Sequence, residues 1–494
     1  MGEFTDFAHT EGQSATQGLA VDEQKALGQF MTPPSIALAM ARRACCGVDV
    51  DVVRILEPAA GSGILAAAVV ETLLERPARP SRIELTFREL DGRLIPVLRR
   101  LGEKMRRIAK TKGVSLSVSV RKGDFLLSEI ATKRRNQYDV IIANPPYFKL
   151  NKKAPQALAH AYAVYGQPNI YGLFMAATAQ LLAPEGRWCF ITPRSWTNGS
   201  YFAAVRRHML AWLRIDAMHV FESREDHFTD DDILQEAMIT WATAQVAPLP
   251  DIVVSTSQGI NDLADAELRS LPAAKIVGGD RGRMIALPLS DQDDFPSCSE
   301  TLESLGLKVS TGPVVAFRAS RHLSERKNRN TVPLLWMQHI SRMGISWPID
   351  KKREHIMACV ESSWMLVPNA PMVLLRRFSP KEDVRRVTAA AYTGGLPGTQ
   401  VGLENHLNYI YRPGGKLSRA EAMGIAAYLN SRQVDAYFRS VAGSTQVNAT
   451  ELRQLAMPTL AQLTEIGQRC TLGMSLGAID TCVGSILDKQ EIAA

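Results

Sequence analysis

The sequence predicts an α/β protein, a doubly wound and largely parallel sheet followed by a separate α+β domain. From Gln24 to about Gln245, apolar strands alternate with amphipathic helices, the rhythm of parallel strands joined by helical crossovers. The turn Gly61-Ser62-Gly63 falls where the first strand meets its helix, a place where glycines let the backbone approach a ligand. Past Gln245 the rhythm fails: Pro248, Pro250 and the run Asp291-Gln292-Asp293-Asp294 precede a stretch of short mixed elements. A chain of 494 residues is also too long for one ordinary core, so more than one domain is expected.

In order, residues 1–23 are polar and rich in Gly, Thr and Gln, and are expected to form a flexible arm. The first domain, residues 24–245, opens with a helix expected over Pro33–Ala44. Strands are expected at Val52–Leu56, Arg82–Phe87, Val114–Val120, Tyr138–Ala143 and Arg187–Ile191, where apolar residues cluster. The intervening helices fall at Ile64–Leu74, Leu94–Ile108, Tyr171–Leu182 and Ser200–Leu213, where the apolar spacing widens towards 3.6. Two further strands, Ile215–Val220 and Ala237–Ala242, are joined by a long polar loop. Residues 246–300 read as a linker with some irregular structure. Residues 301–494 combine strand-like runs at Met372–Leu375 and Tyr409–Tyr411 with helices near Arg419–Leu429 and Leu460–Leu472.

The composition, 46% hydrophobic and 22% charged, is that of a soluble globular protein. No apolar run is long enough to span a bilayer, so no membrane partner is expected. The start Met1-Gly2-Glu3-Phe4-Thr5-Asp6 lacks the basic and apolar regions of a secretory signal. Seven cysteines, odd in number and without CxxC spacing, are expected as reduced thiols in a cytoplasmic protein, with no metal site. Charge is uneven: residues 301–494 hold 23 Lys and Arg against 15 Asp and Glu, so the whole basic excess lies there. Basic surfaces meet phosphate backbones, although a solvated surface is the ordinary alternative.

The tetrapeptide Asn144-Pro145-Pro146-Tyr147 directly follows the apolar strand ending at Ala143. A planar amino group conjugated to a ring is a poor nucleophile, because its lone pair is delocalised. Two acceptors, the Asn144 side-chain oxygen and the Pro145 carbonyl, could hold its protons and draw the nitrogen towards tetrahedral geometry, while Tyr147 stacks on the ring. The prolines fix φ and offer no competing N–H, so the turn is pre-organised. A plain strand-terminating turn is the structural alternative.

The stretch Glu57-Pro58-Ala59-Ala60-Gly61-Ser62-Gly63 also satisfies a dinucleotide pattern, a weak match by itself. Three acids favour S-adenosylmethionine over a nicotinamide. Glu57 can serve a positively charged amino-acid end. Glu89, ending the second strand, can accept ribose hydroxyls. Asp124, after the third strand and beside Phe125, can accept from an adenine amino group. Strand-end surface acids are the commoner reading of either Glu89 or Asp124 alone.

The ordered set, with Gly28-Gln29-Phe30-Met31-Thr32-Pro33-Pro34 ahead of the glycine turn, resembles DNA adenine-N6 methyltransferases of the gamma arrangement. The stretches Pro193-Arg194-Ser195-Trp196-Thr197-Asn198-Gly199 and His219-Val220-Phe221-Glu222-Ser223-Arg224 sharpen the likeness to the BsuBI/PstI group of modification methylases. It is close over residues 24–245 and looser beyond. The resemblance implies a Rossmann-like methyltransferase domain and a DNA target-recognition domain over 301–494. Thr32, Pro33, Glu57, Ala59, Gly61, Gly63, Glu89, Asp124 and Phe125 would then hold S-adenosylmethionine, and Asn144, Pro145, Pro146 and Tyr147 would be catalytic. By similarity to TaqI-type enzymes, a second aromatic, Phe228 with Phe221 as rival, would sandwich a flipped-out base. The acid-rich Thr229-Asp230-Asp231-Asp232 departs from what a DNA face should carry.

In the C-terminal domain, Arg318, Arg376, Arg377, Gln446 and Asn448 are residue types that read base edges. The resemblance implies double-stranded DNA as partner, a separate cognate restriction endonuclease, action as a monomer, and CTGCAG as a target. Rival readings are amino methylation of protein glutamine or RNA guanine, and a non-catalytic DNA-binding subunit. The first lacks a use for the Gly28–Pro34 segment and the large C-terminal domain; the second lacks a use for Asn144, Tyr147 and Glu89.

Overall fold

The computed structural model describes residues 2–17, 31–133, 137–221, 237–245, 251–277, 285–287, 298, 300–379, 383–441 and 446–487. The chain divides into two compact units, Met1–Leu289 and Ser290–Ala494.

Among the described residues, the first unit is built on one sheet of nine strands: β1 (Val52–Glu57), β2 (Arg82–Glu89), β3 (Ser115–Lys122), β4 (Tyr138–Ala143), β5 (Leu182–Pro193), β6 (Leu213–Phe221), β7 (Ala237–Ala244), β8 (Asp251–Ser257) and β9 (Arg269–Pro272). Their order is β3-β2-β1-β4-β5-β7-β6-β8-β9. Strands β1 to β5 pair in parallel, and β7 runs antiparallel to both its neighbours, β5 and β6. Alternation along the strands feeds two cores. Val53, Ile55, Val140 and Ile142 face helices Pro34–Ala44, Ile64–Glu75 and Ile95–Thr111. Leu56, Ile141 and Ala143 face the other layer, with helices Ile170–Ala179 and Ala203–Trp212. Both faces are covered, as a parallel sheet requires.

Two sequence-based expectations are corrected. The arm expected over residues 1–23 contains a docked helix, Glu3–Thr16. Phe4 and Ala8 are buried in the first core, Phe7 packs against it, and these three follow the 4/7/8 spacing of a helix face. Glu71 accepts from the Phe4 backbone N–H and the Thr5 hydroxyl, both at 3.3 Å, and Lys104 pairs with Glu3 at 2.9 Å. The polar composition hid a short apolar stripe. The linker expected over 246–300 begins instead with sheet: β8 pairs in parallel with β6, and β9 closes the edge antiparallel to β8. The apolar residues Ile252, Val253 and Val254 extend an existing edge, which outweighs the flanking prolines.

The second unit is α+β. Four antiparallel strands run in the order Lys308–Thr311, Leu407–Tyr411, Met372–Arg376, Ala389–Tyr392, and five short strands form a second sheet. Helix Arg419–Leu429 covers the first sheet and crosses helix Leu460–Arg469 closely. A methyl group at Gly424 would sit on the Leu463 carbonyl, and one at Gly467 on that of Ala420, so glycine is required at both. Among the described residues no helix is long and apolar enough to cross a membrane.

Docking of the first helix makes a stability prediction. Phe4→Ala should cost about 3 kcal/mol, read as a lower denaturant midpoint for the first unit. An unchanged midpoint would mean that the helix is not docked in solution.

Candidate active site

Strand order reverses between β1 and β4, and in open α/β sheets a crevice forms outside the strand ends at that point. Register brings the ends level: Leu56 pairs with Ile141, Glu57 with Phe87, Glu89 with Lys122 and Ala143 with Phe190. A cleft of about 970 Å³, solvent mouth included, opens there, lined by Thr32, Glu57, Ala59, Gly61, Glu89, Asp124, Phe125, Asn144 and Pro146 among others. Sites predicted along 115 residues of chain therefore meet in one place. Gly63 stands just behind the lining. Pro33 precedes helix Pro34–Ala44, and neither it nor Pro145 and Tyr147 lines the cleft itself.

The glycine turn is shaped by two left-handed residues, Gly61 (φ 54°) and Gly63 (φ 83°). Gly63 ends the turn at the start of helix Ile64–Glu75, and a Cβ there would come within 2.7 Å of Leu98 and 2.9 Å of Leu101. Glu57, at the end of β1, is buried and accepts from the Ala66 N–H at 3.0 Å, so its carboxyl caps the first turn of that helix. Burial pushes its pKa well above the carboxylate range, with Glu89 adding repulsion against the helpful amide contacts. Glu89 is likewise raised by burial while its two oxygens accept from the Gly61 N–H (2.6 Å) and the Asp91 N–H (2.8 Å). A cation or hydroxyl donors placed beside these groups would stabilise their ionised forms.

Asp124, which lines the cleft, accepts from the Leu126 N–H at 2.9 Å and from the Gln156 side-chain amide at 2.7 Å, and a carboxylate has lone pairs beyond these two. Phe125 is more deeply set than a free stacking ring: it is buried and stacks on Phe174 at 5.5 Å. Sequence reasoning missed Gln156, Phe174 and Leu90. Leu90 lines the cleft with 57% of its surface exposed. An apolar residue between two acids just past a strand end, Glu89-Leu90-Asp91, was the available signal.

Asn144 follows β4 directly. Its Nδ2 donates to the Thr32 hydroxyl oxygen at 3.1 Å, and its Oδ1 lies 2.5 Å from the Tyr147 hydroxyl. That hydroxyl also lies 2.9 Å from the Ile191 carbonyl on β5, and the Tyr147 ring meets Tyr171 edge-on at 5.9 Å. Burial raises the Tyr147 pKa, so the phenol stays protonated. The Ile170 N–H donates to the Phe148 carbonyl at 2.9 Å and the Leu150 N–H to that of Pro168 at 2.8 Å, which ties the loop down. Phe228 and the Thr229–Asp232 run lie outside the described residues, as do Gly28, Gln29 and Phe30.

In the second unit the base-reading candidates separate. The Arg376 guanidinium donates to the Ile340 carbonyl, and Asn448 caps helix Ala449–Gln454 with Glu451; both have structural duties. Arg377 makes long contacts to Asn405 (3.4 Å) and Gln446 (3.5 Å). Arg318 lies over the Phe317 ring at 5.3 Å, and that ring is 75% exposed.

Comparison with known proteins bears on the chain as a whole. Residues 101–228, which include Asp124 and the Asn144 loop, match the family of the Eco57I restriction-modification methylase. The type II methyltransferase M.BsuBI of Bacillus subtilis is 33% identical over 464 residues, 90% of this chain and 89% of that protein. The type II methyltransferase M.PstI of Providencia stuartii is 31% identical over 460 residues, 90% of each. Among solved structures, the type IIG restriction endonuclease BpuSI aligns with a TM-score of 0.46 and 12% identity, over 97% of this chain and 67% of that one.

The buried carboxyl of Glu57 predicts a trade of stability against binding. Because its folded pKa is raised, stability from the protonated group is full below the ordinary carboxylate pKa and is lost as pH rises through the folded value. Glu57→Gln keeps an acceptor for Ala66 and removes that loss. The variant should therefore melt higher than the parent at pH 8 in the absence of ligand, with the difference shrinking towards pH 4. A lower melting temperature at pH 8 would contradict the assignment.

Proposed function

Since the chain belongs to the type II DNA methyltransferases of restriction–modification systems, we propose that it methylates the exocyclic amino group of an adenine flipped out of a short duplex site, using S-adenosylmethionine. The observation that carries the reading is the position of Asn144: an amide oxygen at the end of β4, on the rim of a cleft whose other walls are the glycine turn, Glu57, Glu89 and Asp124.

The cleft residues fit the cofactor. Glu57 would face its ammonium, the Glu89 carboxylate its ribose, and Asp124 its adenine amino group, with Leu90 available to cover the ring. Thr32 would border the methionine part, with Pro33 next to it in the chain, and Ala59 and Gly61 bring the backbone close enough, with Gly63 completing the turn. Bound S-adenosylmethionine supplies a methyl group activated by a sulfonium. The protein then has to present the amino nitrogen in line and hold its protons.

Asn144 Oδ1 and the Pro145 carbonyl would accept hydrogen bonds from those protons and so stabilise the positive charge that builds on the nitrogen as it attacks. The nitrogen becomes acidic only once the methyl has transferred and then sheds one proton to solvent. The Tyr147 hydroxyl has one proton, and Oδ1 and the Ile191 carbonyl are among the acceptors in its reach. Donating to Ile191 withdraws that proton from Oδ1, which would then accept from the substrate. Flipping unstacks the base at a cost of a few kcal/mol, and stacking on Tyr147, with Phe228 as the second ring, returns about 1–3 kcal/mol per aromatic. CTGCAG is the first target to test. In the second unit Arg318, with Phe317 beside it, is our choice for a DNA contact, ahead of Arg377 and Gln446; a separate endonuclease and action as a monomer in the cytoplasm complete the reading.

Two outcomes are expected. Asn144→Ala lowers transfer of labelled methyl groups to duplex DNA by at least about a hundredfold while S-adenosylmethionine still binds in calorimetry; normal turnover would sink the assignment. Arg318→Ala weakens duplex binding and lowers the slope of affinity against salt by about one if it meets a phosphate, or relaxes selectivity at one base pair if it reads a base. Unchanged affinity, slope and selectivity would remove Arg318 from the DNA interface.

A further inference from the structure

A side-chain amide can sit in two orientations, related by a half-turn, that exchange its donor and acceptor ends. Only one of them lets Asn144 accept a proton from a substrate amino group; the other points N–H groups at it. The distances in the site fit the first. In the orientation present, Oδ1 faces the Tyr147 hydroxyl at 2.5 Å, the short end for O–H···O, and Nδ2 faces the Thr32 hydroxyl oxygen at 3.1 Å, ordinary for N–H···O. Thr32 is buried, 3% exposed, and reaches the site from 112 residues away in sequence. Its contact is on the far end of the amide from the one that chemistry needs. When a substrate amino group takes over Oδ1, the Tyr147 hydroxyl can turn to Ile191, and Thr32 goes on holding Nδ2.

We propose that Thr32 is a positioning residue for methyl transfer, whose hydroxyl oxygen holds the Asn144 amide with Oδ1 towards the reacting nitrogen. The inference rests on Asn144 being the acceptor, and it gives Thr32 a role apart from bordering the cofactor. Thr32→Val keeps the shape and removes this acceptor for Nδ2. Thr32→Ser keeps the hydroxyl and loses one methyl group.

The test is single-turnover methyl transfer at saturating S-adenosylmethionine, with cofactor affinity measured separately, for Thr32→Val, Thr32→Ser and Asn144→Ala. Thr32→Val should slow the transfer step by about tenfold to a hundredfold, the loss expected when a reacting group is misplaced. Thr32→Ser should rescue most of that loss, and the slower step in Thr32→Val should persist at saturating cofactor whatever the change in cofactor affinity. A parental rate for Thr32→Val beside an inactive Asn144→Ala overturns the proposal. So does weaker cofactor binding with an unchanged transfer rate, which would leave Thr32 as a cofactor contact only, or an equal loss in Thr32→Ser. Turnover by Asn144→Ala overturns instead the reading of Asn144 itself. Should Thr32→Val not fold, nitrogen-15 NMR of the unsubstituted protein decides, with the Asn144 side-chain signal identified by its loss in Asn144→Ala. Slowed hydrogen exchange of that amide supports the contact, and exchange at the solvent rate overturns it.

Discussion

The pairing of β1 with β4 is the constraint on which the site depends. These strands are separated by 80 residues of chain, yet Ile55 pairs with Val140 and Leu56 with Ile141. Because they run in parallel, both deliver their carboxyl ends to the same edge, Glu57 from one and Asn144 from the other. A slip of one residue in either strand would exchange its two faces, sending Ile55 and Val140 out of their core and moving the end groups off the cleft. Burial on both sides of the sheet enforces the register. Packing energy thus sets the distance between the cleft and the proposed acceptor.

That same burial makes the site costly to fold. Glu57 and Glu89 end their strands inside the protein, where desolvation raises the pKa of each. Backbone N–H groups from Ala66, Gly61 and Asp91 offset part of the cost. A fully apolar cleft would fold more easily but would offer nothing to an ammonium or a pair of hydroxyls. The polar groups are also held from behind: Gln156 on Asp124, Thr32 on Asn144, Ile191 on Tyr147. Such partners fix rotamers before a ligand arrives, which reduces the ordering that binding must impose.

What was legible in the sequence is what depends on local chemistry. Tyr138–Ala143 reads as a strand because Val140, Ile141 and Ile142 have no polar interruption, and the structure places the strand over the same residues. Gly61 and Gly63 announce a turn because few other residues tolerate their backbone angles. The first helix was hidden because four apolar residues in fourteen do not outweigh Gly, Thr and Gln until Glu71 and the helix Ile95–Thr111 are there to receive them. Strand β8 was hidden for a like reason, its pairing with β6 being a property of the sheet edge. Thr32, Gln156 and Ile191 as supporting partners are legible only in three dimensions, since nothing in their sequence neighbourhoods points to Asn144, Asp124 or Tyr147. In the C-terminal unit, residue type suggested base contacts equally for Arg376, Asn448 and Arg318; internal hydrogen bonds to Ile340 and Glu451 separate the first two from the third.

The most direct test of the central claim, amino methylation of adenine at a specific duplex site, is single-molecule sequencing of DNA from cells lacking other methylases and expressing this chain. The account predicts N6-methyladenine at one short motif and at no other position. Methylation of cytosine, or unmodified DNA from cells in which the folded protein is abundant, would contradict it.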